Sequence, residues 1–344
     1  MRRRGTAAFT AGCDGARVNL RPEFHHRDEA VSAGAIPFLR TRVRPGAERG
    51  ERTPNRGGEA DGNTGPGIVE RLHNIAVQSL KTVDLAPRHF PRAEGGFEPG
   101  GRRRERLDQA AAPAGVAAQL DIRALDVTHF DALSPFVQSV VRDYGRVDVL
   151  VNNAGFPVAG FAEDITLQEL RRQFETNFFG AVAMTKAVLP TMRRQRSGHI
   201  IMVSSIAGLH GSVTVSSYSA SKHALEGWSE SLRLELNSLG IKVVLVEPGA
   251  FQTDIWTRGA VMGEQATKET SPNIQRSLRM RDRVQALPKA DPIAVARLIT
   301  KIAQDPNPKL RYLVGRDAKV QLALKRILPW KWHEKLVANF LKIE

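Results

Sequence analysis

Beyond about residue 105 the apolar positions fall into the periods of regular structure. Arg106–Gln109 opens a helix-like stretch, Leu120–Val127 alternates as a strand does, and Phe130–Val141 reads as a helix. Val147–Val151 is a short apolar run suited to a central parallel strand. Leu167–Met192 carries a long amphipathic helical pattern that we expect to break once, near Gly180. His199–Val203 reads as a buried strand ending in two serines; a loop with Gly208 and Gly211 follows, and a helical pattern sets in around Tyr218. Val243–Val246 is another strand, closed by Pro248–Gly249, a common strand-ending turn. Residues of about 250–288 are expected to form a flexible lid. A helix at Ala294–Ile302, a last strand at Leu310–Val314 and a basic amphipathic tail with Trp330 and Trp332 complete the pattern.

Residues 1–101 carry no such period apart from a short apolar patch, Ile75–Leu85. They are rich in Arg, Gly and Pro, with Lys81 the single lysine, and such text cannot bury enough surface to offset backbone entropy. The net charge of +14 would suit nucleic acid or an anionic surface, but aromatics are sparse in this segment and no nucleic-acid-binding motif is visible. We therefore expect no nucleic-acid partner. The one cysteine, Cys13, excludes a disulfide framework and fits the cytoplasm. No apolar run is long enough to span a membrane, and the start has too short an apolar core for a secretory signal. His25–His26 lack the companion ligands of a metal site. The tail suits a cover over a pocket or a subunit contact better than a bilayer surface, so membrane contact is not expected.

Chemistry concentrates after the strand at His199–Val203. Tyr218 and Lys222 stand four apart on a helical pattern and so share a face. An ammonium beside a phenol favours the phenolate, and we expect it to lower the Tyr218 pKa towards neutrality. A tyrosine so tuned can exchange a proton with a substrate oxygen, and Ser205 at the strand end can reach the same oxygen. Ser204 is the runner-up but should face the other side of the strand. Upstream, Val147–Val151 runs into Asn152-Asn153-Ala154-Gly155, where small residues let a ligand approach the backbone and the Asn amides can tie neighbouring strands. Asn177 precedes Gly180 in an Asn-x-x-Gly spacing inside the long helix.

Ser205, Tyr218-x-x-x-Lys222, the Asn-Asn-Ala-Gly turn and Asn177, in that order and with thirteen residues from Ser205 to Tyr218, resemble the short-chain dehydrogenase/reductase family. The Arg311–Gly315 segment and its tail look like the 17β-hydroxysteroid or retinol dehydrogenase-like branch. The resemblance covers about residues 102–340, roughly 70% of the chain; the catalytic domain is expected over residues 102–344. It implies a doubly wound parallel sheet of Rossmann type, an α/β fold with the ligand at the carboxyl ends of the strands. It implies hydride transfer between NADP or NAD and an alcohol, ketone or aldehyde. Tyr218 would be the acid/base, Lys222 would lower its pKa and bind the nicotinamide ribose, Ser205 would polarise the carbonyl, and Asn177 would support a proton path. Asp126 and Val127 would lie at the adenine, although Asp126 serves equally well as a helix N-cap. Asn152, Ala154 and Gly155 would line the cofactor, and Pro248, Gly249 and Thr253 would cover the nicotinamide. Arg102–Arg104 lean the choice towards NADP. Phe156, Val158, Phe161, Leu209 and Trp256 predict an apolar pocket, and the family's habit predicts a homodimer or homotetramer.

One departure is large. The family opens with a strand and a Thr-Gly-x-x-x-Gly-x-Gly turn, and the nearest approach, Thr64-Gly65-Pro66-Gly67-Ile68, has the wrong spacing. We expect that a frameshift or mis-called start replaced the first strand–helix unit; an identical upstream frame on resequencing would overturn that. A catalytically dead, family-like binding or scaffold protein is the alternative function.

Overall fold

The computed structural model describes residues 34–39, 120–253, 255 and 261–341. Thr64–Ile68, Arg102–Arg104, Arg106–Gln109, Cys13, His25–His26, Ile75–Leu85 and Trp256 lie outside the described residues. Four parallel strands form the main sheet: β3 (Val149–Asn152), β5 (Gly198–Val203), β6 (Ile241–Pro248) and β8 (Arg311–Val314), ordered β3-β5-β6-β8. Parallel neighbours need long crossovers, and helices provide them. Between β3 and β5 run α2 (Leu167–Phe174) and α3 (Ala181–Gln195); α4 (Ser216–Leu236) joins β5 to β6; α5 (Ile274–Ala286) and α6 (Ile293–Gln304) precede β8. The helix α1 (Phe130–Tyr144) comes before β3, and α7 (Arg316–Ile327) and α8 (Trp330–Leu341) end the chain.

Helices on both faces bury both faces, which is why the strands read as continuous apolar runs. Ile200, Met202, Val243 and Leu245 pack with Leu133 and Val137 of α1, Met184 and Val188 of α3 and Leu225 of α4. Their neighbours Ile201, Val203, Val244 and Val246 point the other way, onto Val295, Ile299 and Ile302 of α6. The two-residue period of a strand thus divides one apolar run between two cores.

The expected strand at Leu120 is β2 (Leu120–Leu125), but it pairs antiparallel with β1 (Gly34–Leu39), in a separate two-stranded sheet. β1 falls inside the stretch expected to lack order; its apolar GAIPFL run is too short to show a period. The break in the long helix is a π-helical segment, Glu175–Gly180. Gly180 is required there, because a Cβ would stand 2.7 Å from Val127.

Within the segment expected to be a flexible lid, the described residues from Val261 on are hydrogen-bonded to the body. The segment contains β7 (Val261–Met262), which pairs with β4 (Val158–Ala159), and α5. Ser271 donates to the buried Asp164 at 2.8 Å, Asn273 donates to the same carboxylate at 3.2 Å, and the Glu264 N–H donates to Glu169 at 2.8 Å.

Candidate active site

The carboxyl ends of β3, β5 and β6 open onto one cleft. Its lining includes Asn153 and Gly155 after β3, Val203 at the end of β5 with Ser204 and Ser205 beyond it, and Pro248 at the end of β6 with Gly249 and Thr253 beyond it. Tyr218 and Lys222, from the first two turns of α4, close one side. The described residues enclose about 90 Å³ there, well below the roughly 300–1,000 Å³ of sites for drug-sized ligands.

Lys222 is buried and donates from Nζ to the Val203 carbonyl at 2.9 Å, with Nζ 5.7 Å from the Tyr218 ring centre. The bond fastens α4 to the end of β5. Burial pulls the ammonium down to about 8, against the pull of Glu226 one turn on. Tyr218 is also buried, and burial pushes the phenol up to about 12; its hydrogen bond with Ser205 works the other way. The expected acidic phenol is therefore reversed in this cleft, because the cost of burying a phenolate outweighs the help from its neighbours.

Ser205 caps a short 3₁₀ turn, Ile206–Gly208, by accepting from the Ala207 N–H at 3.1 Å. Ser204 is buried and its Oγ turns to Gly208, where a Cβ would stand 2.8 Å from it. Asn177 is buried in the π-helical segment, whose wider turn carries it towards the Asn-Asn-Ala-Gly loop. Its Oδ1 accepts from the Phe156 N–H at 3.0 Å, and its Nδ2 donates to the Phe156 carbonyl at 3.0 Å and to Ser221 at 3.1 Å. Gly155 lies against this clamp: a Cβ would meet Asn177 at 3.1 Å and Lys222 at 3.6 Å.

Several expected cofactor residues stand elsewhere. Asn152 donates to Thr185 at 2.9 Å and to the Met202 sulfur at 3.1 Å, tying α3 to β5, while Asn153 takes the cleft position. Alternation along β3 could have signalled that exchange. Ala154 packs on the core and Val127 is part of it. Asp126 neither lines the cleft nor caps α1; it accepts from the Thr128 N–H at 2.9 Å and hydroxyl at 2.7 Å, closing the turn before the helix. Phe156 and Val158 are buried away from the cleft, and Arg276 lies 4.4 Å over the Phe161 ring. Apolar walls come instead from Val203, Phe251, Ile255 and Val295. Among the described residues no cluster of His, Cys, Asp or Glu could hold a metal ion.

The model of the short chain dehydrogenase family matches residues 100–260. An uncharacterized oxidoreductase of Bacillus subtilis, YusZ, is 40% identical over 240 residues, 69% of this chain and 85% of its own. The chain belongs to the short-chain dehydrogenase/reductase family. Its relatives in this family of NAD(P)-dependent oxidoreductases include retinol dehydrogenase 8 of Bos taurus, 36% identical over 64% of this chain and 72% of that protein. A solved short-chain dehydrogenase from Streptomyces avermitilis is similar at 35% identity and a TM-score of 0.58, over 70% of this chain and 86% of the other. One from Burkholderia phymatum in complex with NAD shares the fold at 22% identity and a TM-score of 0.55, over 66% and 81%. Within the family cleft, the fit to a cofactor is partial. The nicotinamide end would have Asn153, Gly155, Lys222, Pro248, Gly249 and Thr253. No glycine-rich turn opening a helix stands among the described residues to supply pyrophosphate donors.

Proposed function

We propose that the chain interconverts an alcohol with its ketone or aldehyde on an apolar substrate, using NAD or NADP, with catalysis confined to residues 102–344. The observation that carries this reading is the convergence of Ser205, Tyr218 and Lys222 on one cleft at the strand ends. Bound nicotinamide would accept or donate the hydride. The rest falls to the chain. Tyr218, which holds its proton up to about 12, donates it to the substrate oxygen during reduction. Ser205 orients that oxygen through its hydroxyl. Lys222 places a positive charge beside the phenol and offers N–H groups to the nicotinamide ribose. Asn177 is a positioning residue that holds the Gly155–Phe156 backbone. Asp126, Val127, Asn152 and Ala154 support these loops from behind. The apolar walls, and names such as retinol dehydrogenase 8 and 3-ketodihydrosphingosine reductase among the relatives, favour a lipid-like substrate. Exposed Phe179 and Leu234, on the π-helical segment and α4, favour pairing of subunits through those helices. We place the protein in the cytoplasm.

Replacing Tyr218 by Phe should lower turnover at least about a hundredfold while leaving nucleotide binding intact. Retained turnover would overturn the assignment. The absent Gly-rich turn favours a second reading, a family member that binds without catalysing. It predicts no change in NADPH fluorescence on mixing with the wild-type chain, whereas the enzyme reading requires one.

A further inference from the structure

The last two helices were expected to cover the pocket or meet a neighbouring subunit, and six of their large apolar side chains are exposed. Twelve large apolar residues are exposed among the described residues, and six of them lie in α7 and α8: Val320, Ile327, Trp330, Trp332, Leu336 and Phe340. Scattered exposed apolar residues need no explanation; half of them gathered in one helix pair does. Trp332, Leu336 and Phe340 are four apart and form one stripe on α8. Val320 and Ile327 are seven apart and share a face of α7. Ile327 is 77% exposed and Trp332 67% exposed.

The flanking charge is positive. Arg316, Lys319, Lys325, Arg326, Lys331 and Lys335 stand against only Asp317 and Glu334. Asp317 is already engaged, accepting from the Ala250 N–H at 2.7 Å. The apolar stripe of α8, with Lys331 and Lys335 beside it, matches a helix lying in a bilayer interface. A second copy of this chain is a poorer occupant, because a two-fold contact would bring this positive surface against itself. Among the described residues no helix is long and apolar enough to cross a membrane, so the contact would be peripheral.

The pair is also fastened to both borders of the cleft. Lys325 donates to the Leu209 carbonyl at 2.6 Å, and His210 and Gln321 hydrogen-bond at 2.8 Å, both on the loop that follows Ser205. Asp317 holds the backbone beside Gly249 on the other border. We propose that α7 and α8 dock the protein on an anionic lipid surface, placing the cleft's rim at the source of an apolar substrate. The docking claim stands on the exposed face alone and does not need the cleft to be catalytic.

The test is co-sedimentation of the full chain with vesicles of phosphatidylcholine, with and without phosphatidylglycerol. Binding is expected with the anionic vesicles, weakening as salt rises to about 0.5 M. The double variant Trp332→Ser/Phe340→Ser should lose at least about tenfold in vesicle affinity while keeping its circular dichroism. Lys331→Glu/Lys335→Glu should do the same. No binding to either vesicle, equal binding to both, or a wild-type dimer that these variants dissociate without any vesicle binding would each overturn the proposal.

Discussion

At the residue scale the informative quantity is the charge state of Lys222, because it carries a pH signature. Burial brings its pKa down to about 8, so the cation is present below that pH in the free chain and is lost above it. Tyr218 keeps its proton to about 12 and does not limit the reducing direction. If carbonyl reduction needs both the phenol proton and the neighbouring cation, kcat/KM should be flat below pH 8 and fall about tenfold per unit above it. Lys222→Arg, permanently charged, should lose activity but also lose that limb. A wild-type profile that stays flat to pH 10 would remove Lys222 from the acid–base scheme. Ser204 and Ser205 both border the cleft, although the Ser204 hydroxyl turns to Gly208, and the four-residue spacing put Tyr218 and Lys222 on one wall of it. The direction of the tyrosine shift was not legible, since spacing reveals a neighbour but not how completely a fold strips water from both. The choice between Asn152 and Asn153 was legible and missed: a doublet at a strand end gives two identical side chains, and the alternation along β3 turns Asn152 inward.

At the element scale the helix α4 is held to the sheet at two successive turns. Lys222 reaches Val203 on β5, and one turn later Glu226 meets Arg311 of β8. Arg311 also pairs with Glu247 of β6 at 2.7 Å and Glu230 at 2.5 Å. Glu226 and Glu247 are buried, and burial pushes Glu247 up while its bond to Arg311 pulls it down. One guanidinium therefore compensates two buried carboxylates across three elements. Replacing Arg311 by Met should cost about 3–5 kcal/mol in urea unfolding, because the carboxylates stay behind without a cation. Adding Glu247→Gln should return part of that loss; a double variant as unstable as the single one would show that the pairing with Glu247 contributes nothing. None of this network was visible in the sequence, where Glu226, Glu247 and Arg311 are separated by tens of residues. The helical break at Gly180 was visible, because Asn177 and Gly180 are poor helix formers placed together.

At the scale of the whole molecule, β3 is the outer strand of the four-stranded sheet among the described residues, and β2 pairs with β1 instead. The family pattern would place a further strand against β3 and begin a helix there with the glycine-rich turn that binds pyrophosphate. The sequence has no such turn, for Thr64–Ile68 has the wrong spacing. The nicotinamide end proposed for the cleft does not depend on that turn, since Asn153, Lys222, Gly249 and Thr253 come from the loop after β3, α4 and the turn after β6. A site built from one half of a dinucleotide site should recognise half a dinucleotide. Reduced nicotinamide mononucleotide and NADPH are therefore expected to bind within about tenfold of each other, a difference of no more than about 1.4 kcal/mol. Competition titrations followed by nicotinamide fluorescence measure that ratio directly. A preference of about a hundredfold or more for the dinucleotide would mean that this chain supplies donors for its pyrophosphate despite the missing motif.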